Sequence, residues 1–311
     1  MPRGNDDTNG PTDLYGYIPS KTIAVIFLGL FLITTFTHLF QAIKYRHGYK
    51  FMLLTAVLCG VIELLGWSGR IWSAFNSVIV TPYQIQISCT IIAPTPLLAA
   101  NFVIFGRIIR KLGAGYSRLR PRLYTIIFAC SDVISLVVQA FGAGLASSAS
   151  THAGSQTGSN IMLAGIVFQL MIIVLYATCL AEFVMRYRKH RPAPGKNVQE
   201  KRSEVNAPGA QDAGDQRGEM TPQVMTMIVV LCLTTTLLFI RAVYRVAELA
   251  DGWSGRIIRT QVYFNVLDAT MVIIVMYATN IFHPGRLLAE PVRGPVDHFD
   301  SNAQSSETES V

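Results

Sequence analysis

The sequence predicts an all-α fold, a polytopic membrane protein built as a seven-transmembrane-helix bundle, and three observations lead there. The chain has 311 residues, of which 51% are hydrophobic and only 14% charged. Soluble domains carry about 25% charged residues, so a water-soluble globule of this size would lack polar surface. Second, the apolar residues fall in seven continuous runs, each long enough to supply the ~20 residues that cross a ~30 Å hydrocarbon core. Third, lysines and arginines gather in the segments between those runs. The runs are continuous rather than alternating, which excludes a membrane β-barrel.

The elements follow in order. A polar segment, 1–21, precedes the first run at 22–43. That run is longer than the apolar part of a signal peptide, so it is expected to act as a membrane anchor rather than a cleaved leader. The second, 51–75, carries Glu63 and Arg70, seven residues apart and therefore on one helical face. The third, 83–110, is interrupted by Ala93-Pro94-Thr95-Pro96. Each proline removes a backbone donor, so Pro94 and Pro96 mark a break or hinge with carbonyls left open to partners. The fourth, 122–147, repeats the seven-residue spacing with Asp132 and Gln139 and ends in Gly142-Ala143-Gly144, small residues that permit close helix contact. The fifth, 160–187, closes on the basic cluster Arg186, Arg188, Lys189 and Arg191, which could touch anionic lipid headgroups. A stretch at 190–220, rich in Pro, Gly, Gln and charge, is expected to be a flexible cytosolic linker. The sixth run, 221–249, sets Arg241, Arg245 and Glu248 on one face, and the seventh, 260–283, contains Asp268. The membrane domain thus occupies 22–288, and the acidic, serine-rich 289–311 is expected to be a disordered cytosolic tail.

Charge placement orients the bundle. Nineteen lysines and arginines fall on one side of the proposed topology, and only Arg3, Lys21, Arg256 and Arg259 fall on the other. The positive-inside rule then puts the N-terminus outside and the C-terminus in the cytosol. The pattern belongs to a membrane protein, not to a nucleic-acid surface. All five cysteines (Cys59, Cys89, Cys130, Cys179, Cys232) lie in apolar runs and read as small buried hydrophobes, with no disulfide framework or metal-ligand spacing. No cofactor or metal is expected.

Seven charges remain inside the runs: Glu63, Arg70, Asp132, Arg241, Arg245, Glu248 and Asp268. Each costs at least about 2.5–3.5 kcal/mol at membrane depth and needs a partner or a wet cavity. Together with Gln139 they form the candidate substrate-binding set, placed around a polar cavity that opens outward. His38 and His283 read as single satisfied polar residues. The hexapeptide Gly-Trp-Ser-Gly-Arg-Ile occurs at both 66–71 and 252–257 without further matching flanks, and reads as a coincidence.

Several classes are excluded. There is no lysine after Lys201 to hold retinal, no phosphate-binding Gly-x4-Gly-Lys loop, no His-Glu-x-x-His and no Gly-x-Ser-x-Gly elbow, so an enzyme is not expected. The inner end of helix three reads Phe105-Gly106-Arg107-Ile108 and helix seven reads Asn280-Ile281-Phe282-His283-Pro284, neither of which fits a rhodopsin-like receptor.

The motifs resemble those of the fungal lipid-translocating exporter family. They run from Arg241-Ala-Val-Tyr244-Arg245-Val-Ala-Glu248 through Gly252-Trp253-Ser-Gly255, Tyr263-Phe264 and Asp268 to His283-Pro284-Gly285. Further matches are Glu63 with Gly66 and Gly69-Arg70, Ala93-Pro94, Gly106-Arg107, Asp132 with Gln139-Ala140 and Gly142, and Gln169. The likeness spans about 15–288. Gln261 and Asn265 stand where the family often has a glutamate and a tyrosine, and Trp67 replaces a usual tyrosine, so cargo preference does not carry over. The resemblance implies an exporter of amphipathic lipid-like or toxic compounds: sphingoid bases, sterol-like amines or porphyrin-like molecules, with resistance as the outcome. The plasma membrane is the expected location because no Lys-Asp-Glu-Leu retention signal is present, with an endomembrane as the alternative. Membrane lipids and an amphipathic small-molecule cargo are the expected partners. The alternative is a seven-helix sensor signalling through its cytosolic loops.

Overall fold

The structure is a computed structural model, and it describes residues 15–76, 79–149, 151–194, 217–252 and 255–288. Among them are seven helices long and apolar enough to cross a membrane. These are α1 (Lys21–Lys44), α2 (Leu53–Phe75), α3 (Val80–Leu112), α4 (Pro121–Ser148), α5 (Ala153–Arg188), α6 (Pro222–Ala250) and α7 (Gln261–Leu287). The expected seven-helix membrane bundle is present. Most of the expected linker and all of the expected C-terminal tail lie outside the described residues.

Hydropathy misplaces one boundary. Helix α5 begins near Ala153 rather than at 160, because the Thr151 side chain caps the helix by accepting a hydrogen bond from the Gly154 N–H at 3.2 Å. The polar first turns then lie against α4 at backbone distance. A Cβ added to Gly158 would sit 2.3 Å from the Ala146 nitrogen, and one added to Gly142 would sit 2.4 Å from that of Met162. Packing, not apolarity, extends this helix, and Gly142 takes the close-contact role its sequence suggests.

Two helices depart from regular α geometry. Residues Leu53–Val57 at the start of α2, and Asn265–Ala269 within α7, form π-helical turns. Helix α3 breaks at Ala93 into Val80–Ile92 and Pro94–Leu112, as its prolines predict.

The surface is apolar and the interior partly polar. Ile33, Phe36 and Phe40 on α1, and Ile134, Val137 and Phe141 on α4, point outward. An exposed belt of this kind is a liability in water and a solvation face in lipid. Cys130 and Cys232 share that belt and only Cys59 is buried, so apolar-run membership did not mean burial for the cysteines. Inside, Phe102, Phe105, Tyr124, Phe128, Tyr176 and Phe183 are all buried, several of them meeting edge to face. Helices α1 and α7 are joined by a polar seam, in which His38 Nε2 lies 3.1 Å from the Met276 carbonyl and Asn280 Nδ2 donates to Thr34 Oγ1 at 2.6 Å. The two Gly-Trp-Ser-Gly-Arg-Ile copies are not structural equivalents. The first lies within α2, whereas Gly252 follows α6 in the left-handed region at φ +78°.

Candidate functional site

The spacing of Arg241, Arg245 and Glu248 on α6 turns all three into the bundle, where each is buried. The π-turn of α7 brings Asp268 opposite them. Arg245 donates from Nε and Nη2 to Asp268 Oδ1 and Oδ2 at 2.9 and 2.6 Å, and from Nη1 to Glu248 Oε2 at 2.6 Å. This fork-on-carboxylate geometry is the strong form of an arginine pair. Glu248 Oε1 accepts from the Tyr244 hydroxyl at 2.8 Å, and Arg241 Nε lies 2.8 Å from Asp268 Oδ1. Two cations and two anions therefore balance.

The proline break completes this network. Pro94 has no N–H to bond the carbonyl of Thr90 four residues earlier. Arg241 Nη2 donates to that carbonyl instead, and Thr90 Oγ1 accepts from Arg245 at 3.0 Å. The candidate hinge and the candidate charge cluster are one structure. Thr90, which sequence reasoning did not single out, could have been found as the residue four before Pro94.

Glu63 on α2 lies within electrostatic reach of Asp268, Arg241 and Arg245. It is 1% exposed, and its Oε1 has no hydrogen-bond partner. Arg70, two turns on, does not join it and faces a separate pocket.

Asp132 and Gln139 on α4 form a second network with α5 and α3. Gln169 Nε2 donates to Asp132 Oδ1 at 3.0 Å and to Thr95 Oγ1 at 3.1 Å. Gln139 Nε2 donates to Gln169 Oε1 at 3.1 Å and to Ser135 Oγ at 2.7 Å. No arginine or lysine pairs with Asp132 among the described residues, and its Oδ2 has no partner. A cavity of about 10 Å³, the space of one water molecule at most, lies between the two networks, lined by Gln139, Gln169, Arg241 and Arg245 together with Ile91 and Ile166. Drug-sized ligands occupy pockets of about 300–1,000 Å³, so this conformation is closed around the site.

Arg70 sits apart. Its Nη2 donates to the Tyr17 hydroxyl at 2.9 Å and its Nη1 to Gln86 Oε1 at 3.4 Å. The ring of Phe264 lies 4.7 Å from its guanidinium carbon, and those of Tyr15, Tyr17 and Trp67 lie 5.4–5.7 Å away. Residues 15–20, assigned from sequence to the polar N-terminal segment, therefore fold onto the bundle. Tyr15 is buried with its hydroxyl on Ser73 Oγ, and burial pushes that hydroxyl up to about 12. A larger cleft of about 160 Å³ runs between α3, α4 and α5, lined by Val80, Ile87, Ala143, Ala146 and Met162 among others.

On the opposite face, Arg118 and Arg186 clamp the Glu182 carboxylate at 2.8 and 2.7 Å. Of the basic cluster after α5, Arg188, Lys189 and Arg191 are exposed.

Similarity to known proteins fits this architecture. Sphingoid long-chain base transporter RSB1 of Saccharomyces cerevisiae is 28% identical over 281 residues, covering 87% of this chain and 73% of the relative. Protoporphyrin uptake protein 1 of the same yeast is 25% identical over 301 residues, covering 86% and 91%. Protein RTM1, also from that yeast, is 24% identical over 308 residues, covering 87% and 91%. No solved structure matches. The description "RTA1 like protein" matches residues 56–291, which hold all seven buried charges and both prolines of the α3 break, and by that match the chain belongs to the RTA1-like protein family.

Proposed function

We propose that this protein transports a cationic, single-chain amphiphile of the sphingoid-base type across or out of the membrane. One observation carries the reading: Glu63 and Asp132 are buried carboxylates that each carry one oxygen, Oε1 and Oδ2, with no hydrogen-bond partner among the described residues. A buried carboxylate lacking a counter-charge is costly, and an ammonium headgroup supplies both charge and donors. Asp268, held by Arg241 and Arg245, and Glu248, held by Arg245 and the Tyr244 hydroxyl, by contrast position the network. The name of the RSB1 relative supports the cargo class, and those of the protoporphyrin and RTM1 relatives leave room for other amphiphiles.

Transport requires the closed cavity to open. The α3 break is the element suited to move, because Arg241 holds its freed carbonyl by a side-chain bond that can exchange, whereas an intrahelical bond cannot. The face bearing Arg110, Lys111, Arg118 and Arg188 belongs in the cytosol by the positive-inside rule, which orients the Arg70 pocket toward the exterior. The plasma membrane is the proposed location, with the exposed basic residues after α5 against its anionic inner leaflet.

Release of a labelled long-chain base from cells expressing the protein tests this. Glu63→Gln and Asp132→Asn keep shape and remove charge, and each should cut release about tenfold at equal surface abundance, the scale of one charge-assisted hydrogen bond. Unchanged release from both variants would overturn the carboxylate site. Loss of resistance on deleting 195–216, with release intact, would instead favour a sensor.

A further inference from the structure

We infer that the Arg70 pocket is a second ligand subsite, one that binds the phosphate or carboxylate group of a lipid. The pocket holds about 20 Å³, room for one water molecule with Tyr17 in place, and is lined by Tyr17, Arg70, Gln86, Arg245, Glu248 and Phe264, among others. Arg70 is 1% exposed, and among the described residues no carboxylate pairs with it. Its Nε has no partner at all. Its remaining contacts are a phenol, an amide oxygen at 3.4 Å and the faces of aromatic rings.

Among the described residues, those contacts leave the guanidinium without a counter-ion in a low-dielectric space. Neutral acceptors and ring faces compensate an arginine less well than an oxyanion, which accepts two parallel N–H bonds from the guanidinium. The other charges on the pocket wall do not supply one. Arg245 and Glu248 pair with each other at 2.6 Å, and Glu248 also accepts from Tyr244, so among the described residues the wall holds one positive charge in excess.

Tyr17 marks the place. Its hydroxyl oxygen stands 2.9 Å from Arg70 Nη2, where the oxygen of a bound anion would accept, and it belongs to the short segment preceding α1 rather than to a membrane helix. An incoming anion would displace this phenol. The apolar walls select the source. Tyr83 and Ile87 border both this pocket and the 160 Å³ cleft between α3, α4 and α5, whose lining among the described residues includes no charge. A head group that displaces the Tyr17 phenol from Arg70, with its alkyl chain passing Tyr83 into that cleft, would use both spaces, whereas free phosphate would use only the first. This subsite is separate from the Glu63 and Asp132 carboxylates, and either assignment can fail alone.

The test is calorimetric titration of the full-length protein in lipid nanodiscs, with empty nanodiscs as the blank. Dodecyl phosphate, dodecanoate, uncharged dodecanol and inorganic phosphate are the probes. Wild-type protein should bind dodecyl phosphate and dodecanoate about tenfold more tightly than dodecanol, and Arg70→Gln should abolish that preference. Tyr17→Phe, which removes the internal competitor while leaving the guanidinium in place, should tighten dodecyl phosphate binding about threefold. A merely structural role for Arg70 predicts no gain from Tyr17→Phe, so an unchanged or weakened affinity there overturns the subsite even if Arg70→Gln fails to fold. An equal preference in wild type and Arg70→Gln overturns it too. Inorganic phosphate that displaces dodecyl phosphate at equal concentration would assign the pocket to a free anion and overturn the lipid assignment.

Discussion

Arg245 and Arg70 are each 1% exposed and both pack against the ring of Phe264, yet their polar partners differ. Arg245 meets both oxygens of Asp268 and one of Glu248. Arg70 meets aromatic faces, a phenol and an amide. Burial raises the cost of an unpaired charge for both, but among the described residues carboxylates offset that cost for Arg245 alone of the two. Its network reads as scaffold, closed and self-sufficient. The Arg70 pocket, like the bare oxygens of Glu63 and Asp132, reads as a place where something else completes the set.

The largest expected effect breaks the scaffold side of this contrast. Arg245→Gln leaves Glu248 with only the Tyr244 hydroxyl and Asp268 with only Arg241, and should destabilise the protein by about 3–5 kcal/mol. The check is unfolding in mixed detergent micelles; a loss below about 1 kcal/mol would mean that water already enters the network. Arg241→Ala comes next, at about 1–3 kcal/mol, since Asp268 keeps Arg245 but the Thr90 carbonyl loses its donor. That cost has a specific remedy. Pro94→Ala restores an N–H to the broken turn, so the double variant should recover part of the loss. Strict additivity in the double-mutant cycle would show that Arg241 does not serve the break. The smallest effect belongs to Arg118, which grips Glu182 much as Arg245 grips Asp268 but has a side chain 62% exposed. Arg118→Ala should leave the melting temperature unchanged within error, because water screens what the membrane interior does not.

Much of this was legible in sequence. Seven apolar runs gave seven helices, since crossing lipid demands a long helical segment and leaves few alternatives. The i, i+4, i+7 spacing of Arg241, Arg245 and Glu248 gave a shared face, and Pro94 gave the break. The partners could not be read, because periodicity fixes which way a side chain points on its own helix but not what stands opposite. Glu63 and Arg70 share a helical face by spacing and still serve separate sites, because α2 meets α6 and α7 near one residue and the segment before α1 near the other. Tyr17 lay in a stretch with no apolar period to mark it. The early start of α5 was hidden for a related reason: small residues signal close packing only once the neighbouring helix is known.

The π-turn at Asn265–Ala269 bears on how α7 tolerates changes in length. A π-turn holds one residue more than the α-turn it replaces, so α7 carries a surplus residue relative to a straight helix of the same span. Removing one residue elsewhere in α7 would rotate everything beyond it by about 100°, pulling Asn280 out of its seam with α1. Removing one inside the π-turn would let the helix close into regular α geometry, with Asn280 still in register and Asp268 alone re-aimed. The helix thus has a single joint at which a deletion separates the charge network from the rest of the fold.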